Sequence, residues 1–189
     1  MGKENGPIER ELRLVQVFWG GGRGKTSAAT GTAVRALGHG LNVHLIHFFK
    51  GGSGTDAEAD EYGELVALRR FDNFSHEQFG ISSWIAGKPT PEQRKAGQEA
   101  LEVSTKTIAS GEYDLVILDE ILYAISLDVI EVSDLLKLLT LRSPQTEVIL
   151  TGSHLRIPEI EEVADQVTEI KKVKHPYDRG ISARKGIDY

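Results

Sequence analysis

Gly20-Gly21-Gly22-Arg23-Gly24-Lys25-Thr26-Ser27 is the stretch of this chain whose residue types can do the most chemistry. Successive glycines leave their backbone N–H groups free to turn into one concavity, the helix that follows adds partial positive charge, and Lys25 adds a full one. The natural occupant is a polyphosphate. The usual spacing puts four residues between the first glycine and Gly-Lys; here Gly20 and Gly24 are three residues apart inside, and Trp19 stands at the expected glycine position. The loop is one residue short, so the phosphate placement of an ordinary kinase or hydrolase is not assumed. A glycine-rich turn without nucleotide is the bland alternative. The order of strand, glycines, Gly-Lys-Thr and helix weighs against it.

Asp119-Glu120 follows an apolar run, Leu115-Val116-Ile117-Leu118, which delivers two carboxylates to the same sheet edge as the loop. With the Thr26 hydroxyl they form a set of hard oxygen donors for Mg2+ bridging phosphates, with Lys25 and Glu120 as the candidate catalytic groups. Surface acids ending a strand are the alternative. Other chemistries have no support: the chain has no cysteine, its six histidines (His39, His44, His47, His76, His154, His175) lack metal-ligand spacing, and no serine sits in a nucleophile-elbow pattern. Those histidines read as surface or packing residues.

These groups must be positioned by a chain of 189 residues, 40% hydrophobic and 26% charged, which suits one α/β domain. The expected division is a polar tail over residues 1–11 and a single domain over 12–189. A net charge of -6 argues against nucleic-acid binding, which needs a basic footprint. The tail is locally different, with Lys171, Lys172, Lys174, Arg179, Arg184 and Lys185; on charge alone this is a solvated edge. No segment has the apolar length of a membrane span, the amino terminus lacks a signal-peptide core, and Gly6 breaks the myristoylation pattern begun by Met1-Gly2. A cytoplasmic protein without membrane contact is expected.

Apolar, β-branched runs predict strands at 12–19, 43–49, 115–118, 148–150 and 167–173. Helices are predicted from Lys25 to about Leu37, from Thr90-Pro91-Glu92-Gln93 to Gly111, from Ser133-Asp134 through Leu139, and from Pro158 to Ala164. Residues 71–88 show no period and read as a long functional or mobile loop. Strands separated by helices imply an α/β, P-loop NTPase-like three-layer fold with a mainly parallel sheet, and ligands at the carboxyl ends of its strands.

On these residues the chain resembles the ATP:corrinoid adenosyltransferases of the cob(I)yrinic acid a,c-diamide type. The short loop is similar to that family's Gly-x-Gly-Lys-Gly-Lys-Thr-Thr; Gly31-Thr32-Ala33-Val34-Arg35-Ala36-Leu37-Gly38-His39-Gly40, Phe48-Phe49-Lys50-Gly51 and Leu118-Asp119-Glu120 are similar to further segments. Most specific is the ending, Val173-Lys174-His175-Pro176-Tyr177-Asp178-Arg179-Gly180-Ile181 followed by Ala183 and Gly186-Ile187-Asp188-Tyr189, which resembles the family's terminal signature and draws the basic tail towards the active site. Two positions depart. The family's Phe-x-Trp pair facing the corrinoid aligns with Trp84, but Ser82 stands at the Phe position, leaving Phe79 as a substitute or as a packing residue. The family's Arg after Thr-Gly is Ser153 here, with Arg156 or Arg23 as replacements for the lost phosphate contact.

The resemblance implies ATP as co-substrate, a corrinoid as acceptor, a reversed ATP orientation, a homodimer and a separate reductant for the cobalt. Its reaction has cob(I) attack the 5′ carbon of ATP and expel triphosphate. This demands alignment and charge stabilisation rather than a base, which suits these residues. The rivals are a P-loop phosphotransferase or NTPase, and a carrier that binds nucleotide or corrinoid without turnover.

Overall fold

The computed structural model describes residues 13–49, 62–80 and 87–188; the 1–11 tail and Trp84 lie outside them. Within them the chain runs β1 (Val15–Trp19), α1 (Lys25–Gly38), β2 (Val43–Phe48), α2 (Gly63–Leu68), β3 (Phe74–Phe79), α3 (Pro91–Ser110), β4 (Leu115–Asp119), α4 (Ile121–Ser126), α5 (Val132–Thr140), β5 (Glu147–Thr151), α6 (Pro158–Val163) and β6 (Gln166–Glu169), then a 3-10 turn at Pro176–Arg179. The strands form one six-stranded sheet in the order β3-β2-β4-β5-β1-β6. Every recorded pairing is parallel.

The sheet is covered on both faces, which is why its inner strands read as continuous apolar runs rather than alternating ones. Val15, Val17, Ile46, Val116, Leu118, Val148 and Leu150 face one core with Leu101 and Ile108 of α3, Leu122 of α4, Leu135 and Leu138 of α5 and Ile160 of α6. Their sequence neighbours Leu45, Leu115, Ile117 and Ile149 face the other, against Ala29, Ala33 and Leu37 of α1 and Leu65 and Leu68 of α2. The period of two along each strand sorts side chains between these layers.

Helix α3 begins as the sequence predicts. Thr90 accepts from the Gln93 N–H at 3.2 Å, Gln93 Oε1 accepts from the Thr90 N–H at 2.9 Å, and Gly111 closes the helix at φ 72°. Two expectations change. Residues 71–88 contain a strand: Phe74–Phe79 is β3, paired in register with β2 from Val43↔Phe74 to Phe48↔Phe79. As an edge strand with partly exposed positions along its length it needs no apolar run, so its sequence carries little periodic signal. The last strand ends at Glu169 rather than Val173, because the Ile170 carbonyl turns to accept from Gly22 at 2.7 Å. The short helices α2 and α4 were not legible, having fewer than two full turns each.

His44 on β2 is buried, its Nδ1 2.7 Å from Ser75 Oγ. Burial, with His76 nearby, pushes its pKa from 6.5 down to about 4. The unfolded chain therefore binds this proton more readily, and stability should fall as pH drops from 6.5 to 4, by roughly 3 kcal/mol in all. Denaturant unfolding at a series of pH values should show this slope in the wild type, and His44→Gln, which cannot protonate, should flatten it.

Candidate active site

β1 carries the chain to the carboxyl edge of the sheet, and the glycines that follow are required by what surrounds them. Gly20 has φ +118°, and a Cβ there would lie 2.5 Å from the Ile170 carbonyl oxygen; at Gly22 the corresponding distance is 2.7 Å. Gly20 donates its N–H to the Ser153 carbonyl at 3.1 Å. The loop is thus clamped between the ends of β5 and β6. Gly24, at φ +117°, makes the turn into α1.

Lys25 opens α1 and folds back over the loop, its Nζ donating to the Gly20 carbonyl at 2.8 Å and the Gly22 carbonyl at 3.1 Å. Burial pushes its pKa below the usual lysine value, while the carboxylates of Glu120 and Asp119 oppose that shift. Arg23, Gly24, Lys25, Thr26 and Ser27 line a cavity of about 360 Å³ together with Tyr62, Gly63, Glu64, Glu120, Gly186, Ile187 and Asp188. Gly20, Gly21 and Gly22 shape the loop without lining that cavity.

The two acids of the strand end have different positions. Asp119 is fully buried; its Oδ1 accepts from Thr26 Oγ1 at 2.9 Å and Thr151 Oγ1 at 2.6 Å, and its Oδ2 lies 2.9 Å from His47 Nδ1. Glu120 has a left-handed backbone, φ 65°, which turns the chain from β4 into α4 and brings its side chain to the cavity. Its N–H donates to Thr151 Oγ1 at 3.0 Å. Since β5 lies between β1 and β4, Thr151 spans the gap between the phosphate loop and the acidic strand end. Thr151, Tyr62 and Glu64 reach the site without any motif that the sequence reading singled out. His47 read as a packing residue, whereas the fold pairs it with Asp119.

The ending meets the loop directly. Arg23 Nη1 lies 2.6 Å from Asp188 Oδ1, and Arg23 Nη2 donates to the Ile187 carbonyl. Arg184 holds the other oxygen of Asp188 with its Nε and its backbone N–H, both at 2.8 Å. Arg184 first, with Arg23 adding to it, holds the Asp188 carboxyl down to about 2. Lys171, Lys172, Lys174, His175 and Pro176 line a second cavity of about 360 Å³ that shares Arg23, Gly24 and Ser27 with the first. The basic tail is thus a wall of the loop's surroundings and not only a solvated edge.

Of the two departures, Ser82 lies outside the described residues and Ser153 lies within them. Ser153 is buried at φ 58°, its hydroxyl 2.9 Å from Ser126 Oγ and accepting from the Leu155 N–H at 2.9 Å. Of the two arginines, Arg156 is engaged by Glu161, whereas Arg23 lines both cavities. Phe79 ends β3 and packs with Phe48, Phe49 and Gly97 around a small gap, away from the phosphate loop. No group of three His, Asp or Glu side chains suited to a metal occurs among the described residues, and no helix among them is long and apolar enough to cross a membrane.

Comparison with known proteins places the chain in one group. Residues 11–189 match the family described as ATP:corrinoid adenosyltransferase BtuR/CobO/CobP. A corrinoid adenosyltransferase of Escherichia coli strain K12 is 33% identical over 181 residues, covering 95% of this chain and 87% of that one. The corrinoid adenosyltransferase CobA of Salmonella typhimurium is 32% identical over 188 residues, covering 96% and 88%. Among solved structures, the flagellar accessory protein FlaH of Methanocaldococcus jannaschii superposes with a TM-score of 0.55 at 14% identity, over 83% of this chain and 70% of that one, a likeness of fold alone.

Proposed function

The chain belongs to the ATP:corrinoid adenosyltransferase family, and we propose that the cavity between the glycine loop and Asp188 holds ATP while its adenosyl group passes to the cobalt of a corrinoid. It is a transferase, and ATP and a corrinoid are its substrates. The observation that carries the site assignment is the meeting of the family's two most specific segments: the short loop and the Gly186-Ile187-Asp188 ending share the walls of one cavity.

In the proposed step the reduced cobalt of the substrate attacks the 5′ carbon, the carbon–oxygen bond breaks, and the triphosphate leaves with the bonding pair. The nucleophile comes with the substrate, so the protein supplies alignment and charge stabilisation. Lys25 and the N–H groups at the start of α1 face the leaving triphosphate, and Arg23 replaces the arginine that Ser153 lacks. Mg2+, when bound, would neutralise charge on the phosphate oxygens. Thr26 and Glu120 would be its protein donors, and Asp119 would support them by holding the Thr26 hydroxyl. A donor set this small suits a hard cation that takes one or two protein ligands and completes its shell with phosphate and water.

Glu120→Gln replaces a carboxylate by a poorer ligand for such a cation. Turnover should fall by about tenfold or more and the half-saturating magnesium concentration should rise. Titrating activity against magnesium checks this, and an unaltered requirement would remove Glu120 from the metal's surroundings. A homodimer, a cytoplasmic location and a separate reductant for cobalt belong to the same proposal on the strength of the family resemblance. Trp84 and Phe79 are its candidates for the corrinoid face, although the packing of Phe79 against α3 favours a structural part for that residue. Phosphoryl transfer is the competing reading of the same cradle, and the phosphate product separates the two.

A further inference from the structure

His47 lies at the carboxyl end of β2 with none of its surface exposed, and nothing assigned so far uses it. Its Nδ1 is 2.9 Å from Asp119 Oδ2; an ionised carboxylate only accepts, so the imidazole donates. The other oxygen of Asp119 receives the hydroxyls of Thr26 and Thr151, and Thr151 in turn accepts the Glu120 N–H. One buried carboxylate therefore ties β2, β4, β5 and the first turn of α1 together. The two residues at the ends of this chain of bonds, Thr26 and Glu120, line the cavity. The His47 ring is stacked on Tyr62, also a cavity residue, with ring centroids 6.3 Å apart. Its Nε2 is buried without a hydrogen-bond partner among the described residues. Packing alone does not account for a ring that buries one nitrogen unbonded, since an apolar side chain would fill the space without that cost.

We propose that His47 is a positioning residue for the nucleotide site, acting through Asp119. By fixing Oδ2 it fixes the rotation of the carboxyl, which directs Oδ1 at Thr26 and Thr151 and so sets where the Thr26 hydroxyl and the Glu120 turn stand relative to the phosphates. This rests on the reading of Thr26 and Glu120 as groups that face the triphosphate. Removing the donor leaves the carboxyl less well oriented and the Thr26 hydroxyl without a fixed acceptor, while the loop glycines and Lys25 keep their places.

Two substitutions separate positioning from packing, because the two roles rank them in opposite order. His47→Leu fills most of the ring's volume and has no donor; His47→Asn leaves more space but carries an amide N–H where Nδ1 stood. The experiment measures magnesium-dependent binding of a non-hydrolysable ATP analogue by calorimetry, and kcat and KM for ATP with chemically reduced cobalamin, in the full chain. His47→Leu should weaken the magnesium dependence and lower kcat by about tenfold to a hundredfold with KM for ATP little changed. His47→Asn should recover most of both. Equal behaviour of Leu and wild type, or an Asn variant worse than Leu, overturns the proposal. If the Leu variant fails to fold, the Asn variant decides: near wild-type values support the proposal, and a loss of tenfold or more contradicts it. Should the wild type yield no adenosylated corrinoid, the reading of function fails, while the order of the variants in analogue binding still decides the part of His47.

Discussion

Lys25→Ala is expected to weaken ATP binding by a hundredfold or more while the protein stays folded. The ammonium is half-buried at the mouth of α1, where it bonds the Gly20 and Gly22 carbonyls and is flanked by the carboxylates of Glu120 and Asp119. Replacing it removes a full positive charge that the loop directs at a polyphosphate. Each charge-assisted hydrogen bond lost is worth about 1.5–3 kcal/mol, and each 1.4 kcal/mol is about tenfold in affinity. The side chain faces the cavity rather than the core, so the fold loses little. Calorimetric titration with ATP, beside thermal unfolding of the same variant, reads both halves; unchanged affinity would take the loop out of nucleotide binding.

Gly20→Ala should be the most damaging of the small loop substitutions, costing about 3 kcal/mol or more in stability together with ATP binding. Two costs coincide there: a backbone at φ +118° and a Cβ placed 2.5 Å from the Ile170 carbonyl oxygen and 2.9 Å from its nitrogen. The obstacle is backbone, so no side chain can swing aside. Gly24 shares the positive φ, at +117°, but a Cβ there meets nothing within 4 Å, and Gly21 has neither constraint. The expected order of damage is Gly20, then Gly24, then Gly21, measured by urea unfolding and ATP affinity on the three alanine variants. Equal tolerance at Gly20 and Gly21 would contradict the clamped loop.

Much of this arrangement was legible before any coordinates. The 20–27 loop, the Leu115 to Leu118 strand and the capped helix at Thr90 each announce themselves within a few consecutive residues, because local composition and turn chemistry determine them. What was hidden depends on neighbours distant in sequence. β3 is a polar edge strand held in register by β2, so hydrogen bonding rather than an apolar period defines it. His47 and Thr151 carry no motif; they matter because β2 and β5 flank β4 and bring both to Asp119. Neither could the sequence choose between Arg23 and Arg156. In the fold Arg156 pairs with Glu161, and Arg23 pairs with Asp188 and lines the cavity. Trp84, the other element of the corrinoid reading, lies outside the described residues.

The central claim concerns which bond of ATP breaks. The cavity walls supplied by Arg23, Lys25 and Thr26 suit a departing polyphosphate, and a nucleophile that arrives with the substrate needs no base. Attack at the 5′ carbon sends all three phosphates away together, whereas attack at phosphorus leaves ADP or phosphate. The direct measurement is phosphorus NMR of an anaerobic mixture of the protein, ATP, magnesium and chemically reduced cobalamin, with the cobalt–carbon bond followed by its visible spectrum. Intact triphosphate appearing in step with adenosylcobalamin is the result expected; ADP or orthophosphate formed with corrinoid present and no cobalt–carbon bond would contradict it.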